Sequence, residues 1–361
     1  MKKNVKIICS AVSAVLLLAV IFFVGKLPSS SMLRTSLQMG SIYALLAVSM
    51  NLLNGVTGQF SLGQAGFMTL GAYTYAIFTI PVSARPNVYY LYGICDALAN
   101  ISLPIVPALI VAGLVAAAFA ALIGAPVLRL KSDYFAIATL GFAEVVRIVV
   151  ASSPFNRITN GSMGLNSIPG FKSYYSTFAV VIICIAIMAL IKKSTYGRSF
   201  RAVRDDEIAA EAMGINLTRH KMLSFIISSF FAGIGGALLA MYLKAISSTT
   251  FTISTATYYI LLMVVIGGMG SFTGSIIASL LVIFAKEWWL RFLDAPLTVG
   301  GFNVPLLRPG FRMVIFSIAL MVVVLFFRRG IMGDMEFSWD GIYTFFKKLF
   351  SKKSKEVQSN E

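Results

Sequence analysis

A chain of 361 residues that is 58% hydrophobic and only 12% charged, with mean hydropathy +0.85, is not an ordinary soluble domain. A net charge of +16 would suggest a nucleic-acid ligand in a soluble protein, but no basic stripe here alternates with stacking aromatics, and the cations gather where the inner side of a membrane protein carries them. Cys9, Cys95 and Cys184 make no CxxC or Cys/His ligand spacing, so no disulfide framework or thiolate metal centre is implied.

Roughly 20 apolar residues cross the hydrocarbon layer as a helix. The opening MKKNVKIICSAVSAVLLLAVIFFVG begins like a signal peptide, yet its apolar run from Ile7 to Val24 is long and no small-x-small cleavage site follows. An uncleaved first span is expected. Further spans are expected near 36–54, 62–80, 104–125, 134–151, 176–191, 222–242 and 311–327. The stretch 255–285 is too long for one crossing and is interrupted by GGMGSFTG, Gly267–Gly274, as two short helices or a re-entrant hairpin. Exposed irregular backbone cannot face lipid, so the break must lie against protein or a watery cavity. The expected fold is an all-α polytopic transmembrane bundle of about 8–10 spans.

With the N-terminus inside, 19 of the 30 Lys and Arg residues fall on inner segments: the first residues, Arg129 and Lys131, the 192–221 loop, and the tail from Arg328. Both termini are then cytoplasmic. The larger outer loops are 152–175 and 286–310, the latter with Trp288 and Trp289 placed as an aromatic belt would be. Three regions result: an N-terminal anchor with its outer loop at 1–34, a transmembrane body at 35–330, and a basic cytoplasmic tail at 331–361.

Small residues recur every fourth position in two spans, as Ala112, Ala116, Ala120, Gly124 and as Ala232, Gly236, Ala240. They predict close helix packing in lipid. GQFSLG (Gly58–Gly63) and GSFTGS (Gly270–Ser275) share a Gly-x-Phe-Ser/Thr core, a faint trace of an internal repeat.

One segment stands apart. RAVRDDEIAAEAMGIN, Arg201–Asn216, is densely charged and predicts a short amphipathic helix on the inner side. Asp205 or Asp206 can cap its start, and Gly214 can end it. Ile208, Ala209, Ala212 and Met213 share one face, and Glu207 and Glu211 another. Two to three turns are too few to be stable alone in water, so the helix needs a partner or must fold back on the membrane surface.

IAAEAMG (Ile208–Gly214) resembles the cytoplasmic "EAA…G" loop of ATP-binding-cassette import permeases, although the family's Glu falls on Ile208 and Glu207 comes one residue early. NLLNGVTGQFSLGQAGFMTLGAY (Asn51–Tyr73), LRLKSDYFAIATLGFAEVVRIV (Leu128–Val149), TNGSMGL (Thr159–Leu165) and VVIGGMGSFTG (Val264–Gly274) resemble the LivM-type permeases of bacterial branched-chain amino acid transporters, in the same order from about 35 to 330. The resemblance implies an ABC importer permease fold, a LivH-type permease partner, two ATPase subunits beneath and an extracytoplasmic binding protein above. It implies a bacterial cytoplasmic membrane. It also implies that Arg201, Asp205, Glu207, Ala209, Ala210, Glu211 and Gly214 form the ATPase-coupling element. No GxxxxGK[ST] loop occurs, so this chain is not expected to be an enzyme. No cofactor or metal is expected on it, and ATP with Mg belongs to the partner ATPases.

Glu144 and Arg147 lie three residues apart on one face of an expected span, where an isolated charge costs at least ~2.5 kcal/mol. They either pair structurally or line the substrate route. Asn51, Gln59, Ser61 and Gln64 around GQFSLGQ, with Ser271 and Thr273 in the broken segment, either serve a passing zwitterion or satisfy helix ends. His220, between Arg219 and Lys221, reads as an interfacial polar residue. A urea or amide permease of the same family is an alternative. An ion-coupled secondary transporter is a second, poorly supplied with membrane carboxylates.

Overall fold

The computed structural model of the chain describes residues 19–28, 31–130, 132–171 and 173–289, with isolated positions outside them. Helices dominate: α1 Met32–Asn51, α2 Gln64–Thr79, α3 Ile105–Val127, α4 Ser132–Ala151, α5 Tyr174–Lys193, α6 Thr195–Asp205, α7 Glu207–Ala212, α8 Leu217–Leu243, α9 Tyr258–Gly267 and α10 Phe272–Phe284. Strand structure among the described residues is slight: a two-residue antiparallel pairing of Thr298–Val299 with Phe302–Asn303, and a Leu165–Ile246 bridge.

Five helices among the described residues are long and apolar enough to cross a membrane: Met32–Val56, Ile105–Val127, Tyr134–Ala151, Tyr174–Lys193 and Leu217–Leu243. The expected span 62–80 is shorter, as α2, because residues 58–63 are not helical. The expected 255–285 element is two short helices, α9 and α10, reversed at Gly268–Ser271. Gly268 (φ +108) and Gly270 (φ +100) make that reversal with backbone angles that an L side chain rarely adopts. The expected spans 7–24 and 311–327 lie for the most part outside the described residues.

The small-residue stripes explain the core. Ala112, Ala116, Ala120 and Gly124 of α3 are all buried, as are Ala232, Gly236 and Ala240 of α8. A Cβ on Gly233 would come within 2.6 Å of the Ala116 Cβ and 2.9 Å of the Ala112 carbonyl, and one on Gly236 within 2.2 Å of the Met68 carbonyl. A Cβ on Gly71 would lie 2.1 Å from the Gly233 carbonyl. Helices α2, α3 and α8 therefore meet backbone against backbone. In lipid, where apolar surface gains little by leaving the solvent, such van der Waals contact is what holds helices together. Helix α1 is the central element, with 94% of its apolar window buried, whereas α4 is peripheral at 28%.

A lid closes the end of the bundle where α2 and α4 finish. Arg85 is buried and donates to the carbonyls of Ile80, Leu98, Ala99 and Ile101. Tyr89 donates to the Ile158 carbonyl at 2.8 Å and Asn160 to the Val88 carbonyl at 2.9 Å, joining the loop after α2 to that after α4.

Candidate functional site

One end of the bundle is built on α6 and α7. Helix α6 follows Ser194 directly from α5, so the chain turns from the span into a surface helix with no slack. Phe200, Val203 and Gly197 seat α6 on the bundle, and its charged residues face outward. Arg201 is exposed, with its Nε on the Gly197 carbonyl. Arg204 instead reaches inward, donating from Nη1 to the Gly55 carbonyl at 3.0 Å and pairing with Asp205 at 3.1 Å.

Asp206 is the cap. Its Oδ1 accepts from the Ile208 and Ala209 amides at 2.9 and 3.0 Å, satisfying two of the free donors at the start of α7. Asp205, the other candidate cap, belongs to the Arg204 pair. Gly214 (φ +82) ends the element as expected. Cap and stop leave six helical residues, Glu207–Ala212, where the sequence suggested two to three turns. Ala210 is the buried residue of α7, while Ala209, Ala212 and Glu211 are exposed and Ile208 and Met213 are 82% and 83% exposed. The apolar face thus points away from the bundle. Glu207 turns back to Lys221 at 2.6 Å, fastening α7 to the start of α8. His220 Nδ1 lies 2.9 Å from the Asn216 carbonyl, one turn back on the same helix start.

Above this element, α1 ends in a π-helical turn, Leu52–Val56, and the chain doubles back through Gly58 (φ +76). Asn54 and Ser61 hold the returning segment through paired backbone–amide bonds of 3.2 and 3.1 Å. Asn51 is fully buried. Its Nδ2 donates to Ser271 O at 2.9 Å, Ser275 Oγ at 2.7 Å and Gly268 O at 3.3 Å, and its Oδ1 accepts from Gly270 N at 2.7 Å. This one amide binds the α9–α10 reversal to α1. Gln64 donates to Ser49 Oγ at 2.8 Å, and Ser61 Oγ accepts from Gly63 N at 3.3 Å. Ser271 caps α10, accepting from Gly274 N at 3.1 Å. Gln59 is buried, and its Oε1 finds no hydrogen-bond partner among the described residues. It lines a cavity of about 370 Å³ beside α7 with Gly58, Arg129, Phe135, Glu207 and Lys221. Asn51, Gln59, Ser61, Gln64, Ser271 and Thr273 therefore gather at two junctions and are for the most part engaged by the fold.

Glu144 and Arg147 form a direct ion pair on α4, Oε2 to Nε at 2.7 Å. Both side chains are about one third exposed on the chain, at 34% and 31%. Pairing offsets the cost of two charges at membrane depth.

Sequence reasoning missed the tail. Ile331 N donates to Ile266 O at 2.7 Å and Met332 N to Gly267 O at 3.2 Å, continuing the end of α9 with a segment from beyond the last expected span. Glu336 then accepts from Phe272 N (2.9 Å), Thr273 N (3.1 Å) and Thr273 Oγ1 (2.7 Å), capping α10, and pairs with Lys192 at the end of α5. Burial opposes ionisation of this carboxylate, but the Lys192, Phe272 and Thr273 hydrogen bonds outweigh it and hold its pKa below the usual value. Gly330 and Gly333, just past the last apolar run, were the available sequence signal for a turn there.

Comparison with known proteins agrees with the architecture. Residues 32–325 match the family described as "Branched-chain amino acid transport system / permease component". The chain is 32% identical over 301 residues to the High-affinity branched-chain amino acid transport system permease protein LivM of Salmonella typhimurium, covering 74% of this chain and 66% of that protein. It is 32% identical over 298 residues to the Escherichia coli LivM, covering 73% and 65%. The chain thus spans just under two thirds of these relatives. The LivH permease of Salmonella typhimurium is 23% identical over 310 residues, covering 82% and 93%. No solved structure matches the chain.

Proposed function

The chain belongs to the family of branched-chain amino acid transport permeases, and on that premise we propose that it is one membrane-spanning subunit of an ATP-driven importer for branched-chain, hydrophobic amino acids. In this reading it pairs with a LivH-type permease, receives substrate from an extracytoplasmic binding protein, and rests on two ATPase subunits that hold ATP and Mg. It lies in a bacterial cytoplasmic membrane with both termini inside. The LivM and LivH names of its relatives support the pairing and the substrate class.

One observation carries the coupling. Helix α7 is capped by Asp206, fastened through Glu207 and Lys221, and presents Ile208 and Met213 away from the bundle. An apolar pair held outward on a six-residue helix and its C-cap is a docking knob for another protein. Arg201, Ala209, Ala210, Glu211 and Gly214 shape and frame it. The translocation role of Asn51, Gln59, Ser61, Gln64, Glu144, Arg147, Ser271 and Thr273 belongs to the same proposal, with Asn51 and Ser271 acting through the α9–α10 reversal.

Uptake of leucine, isoleucine, valine and urea should be measured in cells with and without the ATPase partner while the ion gradient is kept. Leucine, isoleucine and valine uptake that stops without the ATPase supports the reading. Urea uptake in their place moves the chain to the amide-permease alternative, and uptake that persists on the gradient alone makes it a secondary transporter.

A further inference from the structure

The residues just described are largely enclosed by the fold, whereas a different polar surface lies open. Between α8 and α9, eight of the eleven residues 247–257, SSTTFTISTAT, carry a hydroxyl and none is charged. The segment starts at the outer side, where Ile246 pairs with Leu165 of the loop after α4. It ends deep in the bundle, where Thr257 Oγ1 donates to Leu62 O at 3.2 Å and accepts from Ala65 N at 3.0 Å. The neighbouring Gln64 reaches Ser49, inside the α1 span, which fixes that depth.

Its backbone is irregular down this path: a turn through Thr250, then a π-helix, Ile253–Thr257, closed by a reciprocal Thr252–Thr255 capping box. Irregular backbone at membrane depth is tolerated only against protein or water, and π-helical turns recur at functional sites. Yet Thr249, Ser254 and Thr255 are exposed on this chain. The hydroxyls are linked in series. Ser247 Oγ lies 2.9 Å from Thr249 Oγ1 and 3.2 Å from Thr250 Oγ1, Thr252 Oγ1 lies 3.0 Å from Ser254 Oγ and 2.8 Å from Thr255 Oγ1, and Thr255 Oγ1 donates to Thr250 O at 3.2 Å.

We propose that this hydroxyl ladder, with Thr249, Ser254 and Thr255 as its open rungs, lines the water-filled route taken by the substrate, a zwitterion with an uncharged side chain. The inference rests on the importer reading above. Each hydroxyl can donate once and accept twice, so the ladder offers an ammonium its oxygens and a carboxylate its hydrogens. No fixed charge stands on it to trap either end.

The test is thiol accessibility in the assembled complex. Thr249→Cys, Ser254→Cys and Thr255→Cys are made singly in a chain with Cys9, Cys95 and Cys184 replaced by Ser, reconstituted with its partners, and treated with a membrane-impermeant methanethiosulfonate. Reaction within about tenfold of a cysteine on an exposed loop is expected, as for a water-filled path. Reaction confined to a lipid-soluble maleimide, or a disulfide cross-link to a cysteine of the second permease, overturns the proposal. This readout needs no transport, so it separates the location of the path from the identity of the cargo. Thr255→Val, nearly isosteric, should raise KM for uptake about fivefold, the effect of one lost hydrogen bond, and Thr255→Ser should restore it. An unchanged KM in Thr255→Val also counts against the ladder.

Discussion

Arg204 on the inner surface helix donates to the Gly55 carbonyl at the π-helical end of α1, a contact of 3.0 Å between residues 149 positions apart. It is a direct polar link between the element proposed to dock an ATPase and the segment that doubles back into the bundle. On the proposed docking, a load on α7 would pass through Asp206 to α6 and then through this guanidinium to α1. Arg204→Leu should leave ATPase copurification at wild-type yield while substrate-stimulated uptake falls at least about tenfold, since a force path is cut but the docking face is kept. Measuring both in one preparation checks it. Full uptake would show that α6 transmits by packing alone.

Asp206→Ala removes the acceptor for two α7 amides and should cost about 1 kcal/mol of local helix stability. Because α7 has only six residues, that loss shows as weaker ATPase association in pull-down. Asp206→Asn keeps the cap and should behave like wild type. Asp205→Ala should have the smaller effect of the two alanine variants.

Asn51→Leu strands the Gly270 amide inside the bundle and takes one donor from the Ser271 and Gly268 carbonyls. Buried groups left unpaired cost about 1–3 kcal/mol each. The detergent-solubilised protein should lose several degrees of Tm, followed by tryptophan fluorescence. Asn51→Asp should be no rescue, because a carboxylate cannot donate to the three acceptors Asn51 now serves.

For Glu336 the folded-state pKa is lowered, so its stabilising effect is complete above the unfolded carboxylate value of 4.5 and is lost as pH falls through the lowered folded value. At pH 7 Glu336→Gln should therefore be less stable than wild type. As pH falls below 4.5 the two melting curves should draw progressively together. A constant Tm difference across a pH series from 7 to 3.5 would contradict the assignment. Glu336→Ala at pH 7 should further loosen the α5–α10 junction, read as faster proteolysis near Lys192.

Glu144→Gln leaves Arg147 without its partner on α4, and a lone membrane cation costs at least ~2.5 kcal/mol. Membrane yield of the single variant should drop more than that of Glu207→Gln, whose partner Lys221 lies at the inner surface. The double variant Glu144→Gln with Arg147→Gln should recover most of that yield. If it recovers yield but not uptake, the pair also serves the route.

Helix termini and packing faces were legible in the sequence because they obey local rules. Asp206 and Gly214 bracket α7 with short-range geometry, and the alanine and glycine stripes of α3 and α8 give a spacing of four that names the buried face. The break at Gly267–Gly274 was equally plain, since glycine clusters cannot continue an apolar helix. What escaped was long-range. Nothing around Glu336 marks it as the cap of a helix beginning 64 residues earlier, and nothing around Asn51 says that its amide is consumed more than 200 residues away. Side chains proposed to meet the substrate and side chains that complete a junction have the same chemistry, so type and spacing could not separate them.

The glycine contacts among Gly71, Gly233, Gly236 and the Met68 carbonyl leave no room for sliding. Helices α2, α3 and α8 form a keel that can only tilt as one body. In the proposed transport cycle torsion should then fall where the backbone is already unwound, at 57–63, 247–252 and 268–271. Those three stretches are the expected joints of the proposed importer, and stiffening any of them with proline should arrest uptake without loosening its frame.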